Sequence, residues 1–221
     1  MLKFTVGKED SNSKARLGRL QCVHGIVETP AFMPVGTQGS VKAVSPRELD
    51  GMGCQILLAN TYHLYLRPGV DVIEGLGGLH RFMGWDKPIL TDSGGYQVMS
   101  LQSLRTVGEE GVTFQSHLDG SRHCLTPEKV VAIQQALGSD IAMVLDECIA
   151  QPSTFHYCRA STGRTIRWAE RSLRARTKDN MALFGIVQGG IHAELRARCA
   201  DELTRLPFDG FAVGGLAVGE G

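Results

Sequence analysis

Short apolar runs alternate with amphipathic helical segments along nearly the whole chain, and no other feature of the sequence restricts the fold as much. Ala31 to Val35 is the first short strand. Ser45-Pro46-Arg47-Glu48 then opens a helix: Ser45 caps it, Pro46 suits the first helical position, and Glu48 completes a capping box. Gly51 and Gly53 end that helix. Gln55 to Asn60 reads as a buried strand, Val70 to Leu76 as a short helix, and Pro88 to Thr91 as a third strand. Thr126-Pro127 starts a helix with Val130, Ile133 and Leu137 on one face. Ile141 to Asp146 is a fourth strand, and Ser161 to Arg176 is a helix with Ile166, Ala169 and Leu173 spaced for burial. Leu183 to Gln188 is a fifth strand, His192 to Leu206 a helix with Leu195, Cys199 and Leu203 inward, and Phe211 to Gly214 a sixth strand. Residues 93 to 125 break the pattern, and Val112 to Leu118 reads as an inserted strand or hairpin.

Strands separated by helices run parallel and are joined by right-handed crossovers. An open doubly wound sheet and a (β/α)8 barrel both meet that description. A nucleotide-binding open sheet calls for a Gly-x-Gly-x-x-Gly turn after an early strand. The sequence has none there, which favours the barrel. A complete barrel takes about 250 residues, but only six strands precede Gly221 in this chain of 221 residues. The expectation is therefore a single barrel domain of which residues 1–221 form the N-terminal part, with strands seven and eight outside it.

Composition removes several classes. Lys plus Arg and Asp plus Glu number 23 each, so the net charge is zero and no whole-chain field attracts nucleic acid. No run reaches the roughly 18 apolar residues of a membrane span, and residues 1–10 hold no signal core. The six cysteines form no Cys-x-x-Cys pair and no zinc-type spacing with a histidine, which points to reduced thiols in a cytoplasmic protein.

The chemistry sits where strands end. Asp92 follows the third strand, Asp146-Glu147-Cys148 the fourth, Gln188-Gly189-Gly190 the fifth and Gly214-Gly215-Leu216 the sixth. In a parallel barrel these positions share the C-terminal face, where active sites lie. Ionised carboxylates only accept hydrogen bonds, whereas a carboxamide and backbone N–H groups donate. Their complement is a flat ligand with donors on one edge and an acceptor beside them, such as a guanine-like base; a sugar satisfies similar groups. Paired glycines permit close backbone approach, and Tyr96 can stack on a ring. Bland readings stand beside these. A single Asp at a loop often caps it. His63 reads as a structural hydrogen-bonding residue, and Tyr62, Tyr96 and Phe184 read as packing rather than a cofactor box. Arg164, Arg167, Arg171, Arg174 and Arg176 read as a solvated helix face, with phosphate binding as the minority alternative.

Thr91-Asp92-Ser93-Gly94-Gly95-Tyr96-Gln97-Val98-Met99-Ser100-Leu101 strongly resembles the tRNA-guanine transglycosylases. Phe32 to Thr37, Asn60 to Leu64, Leu145 to Cys148, Leu183 to Gly190 and Ala212 to Glu220 match further motifs of that family, in order and at family-like spacing. The resemblance implies a (β/α)8 barrel that exchanges guanine at the wobble position of tRNAs with a GUN anticodon for a 7-deazaguanine base, through a covalent RNA–enzyme intermediate. By carry-over, Asp92 resembles the general acid/base at the purine. Asp146 resembles the acceptor of the base's N–H edge, while Gln188 and the Gly215 amide resemble the groups holding its carbonyl. Ser93, Gly94, Gly95 and Tyr96 line the pocket, Tyr96 as the stacking aromatic, and the Leu216 and Ala217 carbonyls face an aminomethyl substituent. Cys148 and Val218 look like the bacterial enzymes that use 7-aminomethyl-7-deazaguanine rather than queuine.

The resemblance further implies a homodimer and a zinc site. The nucleophilic Asp, the zinc ligands and a basic tRNA-contacting segment are all expected beyond Gly221, so these residues bind no metal and are inactive alone. Competing readings are a non-catalytic homologous subunit, an archaeosine-type or queuine-using transglycosylase, and a glycoside hydrolase. The paired acids argue against a scaffold. An aromatic content of 6% argues against sugar stacking.

Overall fold

The computed structural model describes residues 2–101 and 104–216. They form a mixed α/β fold with parallel strands, in two compact units. One holds residues 2–92, 134–142 and 178–182; the other holds 93–133, 143–177 and 183–216.

In the first unit, strands β4 (Val35–Gly36), β5 (Leu57–Ala59), β6 (Ile89–Thr91) and the start of β10 (Ile141–Met143) pair in parallel in that order. Each new strand lies beside its predecessor, as the alternation requires. β6 and β10 are buried at every position, which is why they read as unbroken apolar runs. The Ser45 capping box on α1 (Pro46–Gly51) forms as expected, with both reciprocal bonds present. Helix α2 (Thr61–Leu66) follows β5 directly, then α3 (Val70–Gly75) and α4 (Leu79–Met83). Residues 3–29, which carry no assignment in the sequence reading, form an antiparallel sheet of β1 (Lys3–Glu9), β2 (Arg16–Cys22) and β3 (Gly25–Thr29).

In the second unit, the Val144 amide donates to the Phe184 carbonyl, and β11 (Ala182–Val187) pairs in parallel with β12 (Gly210–Val213). The irregular stretch holds α5 (Gly95–Ser100) and an antiparallel sheet of β7 (Arg105–Val107), β8 (Val112–Gln115) and β9 (Arg122–Leu125), one strand more than the expected hairpin. A Cβ at Gly111 would lie 2.2 Å from the Leu125 carbonyl oxygen, so only glycine lets β8 enter this close to β9. Helix α6 (Pro127–Leu137) is capped by the Thr126 hydroxyl and buries Val130, Ile133 and Leu137. Helix α8 (Ala193–Thr204) buries Leu195, Cys199 and Leu203.

Helix α7 (Phe155–Ala175) corrects two expectations. It starts before Ser161 because Thr154 caps it, accepting from the Tyr157 amide. Of its arginines, Arg167 and Arg174 are exposed, as a solvated face requires, whereas Arg164, Arg171 and Arg176 are half-buried in ion pairs with other elements. Arg171 grips both carboxylate oxygens of Glu128 at 2.7 and 2.8 Å and donates to the Glu109 carbonyl. Arg167 holds Glu109 at 2.6 and 2.8 Å, Arg164 pairs with buried Glu147, and Arg176 with Asp209. The partners lie far away in sequence, so charge spacing within the helix could not reveal them. Among the described residues, no helix is long and apolar enough to cross a membrane.

Candidate active site

Asp92 directly follows β6, as its sequence position predicts. Its backbone amide donates to the Ala59 carbonyl at 3.1 Å, which fixes it beside the end of β5. One carboxylate oxygen accepts from the Asn60 side-chain amide, and the other from the Thr61 backbone amide at 3.0 Å. The Thr61 hydroxyl closes on the Asp92 carbonyl. The Asp92 carboxylate is thus fixed by donors from the segment that leaves β5 for α2, one of them the first backbone N–H of that helix. Asn60 carries no assigned role in the sequence reading. The signal was its place: it too follows a strand end.

The second unit assembles the remaining described residues. Asp146 and Gln188 are only 6% and 1% exposed, and the Gln188 amide nitrogen donates to Asp146 Oδ2 at 2.7 Å. Gln188 Oε1 is buried and has no hydrogen-bond partner among the described residues. The Gln188 backbone amide rests on the Cys199 sulfur at 3.4 Å, so β11 and α8 together set where the carboxamide starts. Gly214 and Gly215 lie against that carboxamide: a Cβ at Gly214 would be 2.6 Å from Gln188 Nε2, and one at Gly215 would be 3.0 Å from Oε1. Gly215 also has φ +67°, the left-handed region that glycine enters freely. A Cβ at Gly95 would be 2.9 Å from the Asp146 carbonyl oxygen and 3.1 Å from the Ser93 hydroxyl. Gly94, at φ +77°, turns the chain into α5, and Ser93 Oγ accepts from the Gly95 amide at 3.2 Å.

Ser93, Gly95, Asp146, Gln188, Gly214 and Gly215 thus form one group. Tyr96 is 55% exposed and open to stack, which overturns its reading as packing. Tyr62 is buried with His63 edge-on to its ring, as a structural role requires, and Phe184 packs against Gly210. Leu216 is exposed. Ala217 and Val218 lie outside the described residues. Asp146 stands three residues past the end of β10 rather than at its last position, because the ladder stops at Met143.

Glu147, next to Asp146, is fully enclosed. It accepts from the Tyr157 phenol and from Arg164, and its amide donates to Thr165 Oγ1 at 3.1 Å. Burial, then the Glu147 hydrogen bond and charge, push the Tyr157 phenol up to about 12. This locks the chain on the far side of Asp146.

The zinc expectation can be compared with one cluster. Among the described residues, His24, His80 and Asp140 place ligand-type atoms within 4.8 Å of one another. They do not fit a zinc ion. Asp140 Oδ1 accepts from the His24 amide and ring, and Oδ2 from the Ile89 amide and the His80 ring, all at 3.0 Å. The two imidazoles stack at 3.7 Å, so their in-plane lone pairs do not converge on one ion. The cluster is a hydrogen-bonded clamp.

The protein is thus of the mixed α/β class, with an acid, a carboxamide and bare backbone grouped after successive parallel strands. Its similarity to known proteins narrows the class to one family. The queuine tRNA-ribosyltransferase family model matches residues 10–221. The queuine tRNA-ribosyltransferase of Moorella thermoacetica is 59% identical over 217 residues, covering 98% of this chain and 58% of that protein. That of a Thermoanaerobacter species is 57% identical over 220 residues, covering 99% and 59%. The chain belongs to the queuine tRNA-ribosyltransferase family. It spans a little under three fifths of the length of these curated relatives.

Proposed function

We propose that this chain carries the base-recognition and proton-transfer residues of a tRNA-guanine transglycosylase acting in queuosine formation. The observation that carries the reading is the buried Asp146–Gln188 pair backed by glycines. Guanine presents N–H donors next to a carbonyl acceptor. Asp146 accepts from that donor edge, while the Gln188 amide and the Gly215 N–H donate to the carbonyl, and Tyr96 covers the ring. Asp92, set between the Asn60 and Thr61 donors, handles the proton. It protonates the guanine that leaves when a carboxylate attacks the ribose, and it takes a proton from the incoming base before that base displaces the enzyme. One glycosidic bond replaces another, so no energy source is consumed.

In this reading the sequential parallel strands belong to a (β/α)8 barrel, the nucleophile, zinc and dimer contacts come from the part its relatives carry beyond the match, and the RNA is a tRNA with a GUN anticodon. Cys148 resembles the 7-aminomethyl-7-deazaguanine enzymes. Joined to the C-terminal part of the Moorella relative, the chain is expected to exchange labelled guanine into tRNA. Asp92→Asn keeps the shape but removes the proton acceptor, so exchange falls by about a hundredfold or more while guanine binding survives. Near-normal exchange by the Asn variant contradicts the assignment. Gly95→Ala tests the floor of the pocket. Because the obstructing atom is a backbone oxygen that cannot rotate away, calorimetry is expected to show about a tenfold loss of guanine affinity; unchanged affinity contradicts the close fit.

A further inference from the structure

We infer that Arg196, on the first turns of α8, is a positioning residue that aims the Gly215 N–H at the purine carbonyl. The inference rests on the base-binding reading above and goes beyond it, since Arg196 lies outside every motif that carries the family resemblance. Its guanidinium donates to the Gly214 carbonyl at 3.0 Å and to the Gly190 carbonyl at 3.4 Å. It therefore ties the turn after β12 to the turn after β11. The two groups of the Gly214–Gly215 peptide are linked by planarity: in a trans peptide the carbonyl of one residue and the N–H of the next point in opposite directions. Holding the Gly214 oxygen on Arg196 thus directs the Gly215 N–H away from Arg196.

Locally, the Gly214 amide donates to the Val187 carbonyl at 3.0 Å, which fixes the entry to the turn but not the plane of the Gly214–Gly215 peptide. Gly215 sits at φ +67°, Gly214 before it has no side chain, and the Leu216 side chain after it is exposed. Glycine backbone is the most costly to order, so a charged, forked anchor has most to contribute at this point. Arg196 is itself seated tightly. A Cβ at Gly189 would be 2.6 Å from the Arg196 backbone nitrogen, so this turn of α8 is pressed onto the strand end.

The test compares two purines by fluorescence and calorimetric titration. Guanine has the carbonyl; 2-aminopurine lacks it. Arg196→Ala is expected to weaken guanine about tenfold and to leave 2-aminopurine affinity unchanged, with Arg196→Lys recovering part of the loss. Equal losses for both purines make Arg196 merely structural and overturn the proposal, as does unchanged guanine affinity. Thermal unfolding of Arg196→Gln, which keeps the helix and part of the stem, separates loss of fold from loss of aim. If the unsubstituted protein binds no guanine, the base-binding reading itself fails, a result distinct from either of these.

Discussion

Asp146→Asn is expected to reduce guanine affinity by about a hundredfold while leaving the fold intact. The wild-type carboxylate has two oxygens and only acceptor capacity. One oxygen already takes the Gln188 amide at 2.7 Å. An asparagine that keeps this bond with its carbonyl must turn its NH2 toward the donor edge of the base. Two donors then face each other in a buried place, at a cost of about 2–3 kcal/mol. Calorimetric titration with guanine measures this, and thermal unfolding checks the fold. Affinity within threefold of the parent contradicts Asp146 as the acceptor of the base edge.

The second large effect concerns stability. Asp140 takes four hydrogen bonds from three elements: the turn between β2 and β3, α4, and the first residue of β6. Its backbone carbonyl accepts the Ala182 amide at 2.9 Å. Asp140→Ala strands two backbone N–H groups and separates the stacked histidines from their acceptor. Loss of about 3–5 kcal/mol is expected in urea unfolding at neutral pH. The pH dependence has a defined sign. Burial raises the Asp140 pKa, but the bonds from His80, Ile89 and His24 outweigh it and hold the group at about 2. A carboxylate whose folded pKa is depressed contributes stability above its unfolded value. That contribution, about 2 kcal/mol, is present above pH ~4 and is lost as pH falls toward 2. The parent should therefore weaken across that window more steeply than Asp140→Asn. A parent and Asn variant of equal stability at pH 7 contradict the clamp.

Particular residues explain what could be read beforehand. β5, β6, β10 and β11 were legible because strands covered on both faces are continuous apolar runs. β1 was not, because all seven of its residues are exposed and no buried face imposes alternation. α2 escaped because a six-residue helix right after a strand carries too few turns for periodicity. Asp92 and Gln188 stood out as polar residues closing apolar runs. Asn60 obeys the same rule but sits inside a motif where His63 drew attention. Arg196 was hidden, since its partners are carbonyl oxygens, and a carbonyl acceptor has no sequence signature. The partners of Arg167 and Arg171 were hidden for a related reason: Glu109 and Glu128 become neighbours of α7 only after the inserted segment folds.

The most direct measurement is a crystal structure of the protein grown with guanine at saturating concentration. It should show the ring with its N–H edge on the Asp146 carboxylate and its carbonyl within hydrogen-bond distance of the Gln188 amide and the Gly215 nitrogen. A guanine seated away from Asp146, with the acid and Gln188 bonded only to each other, contradicts the account.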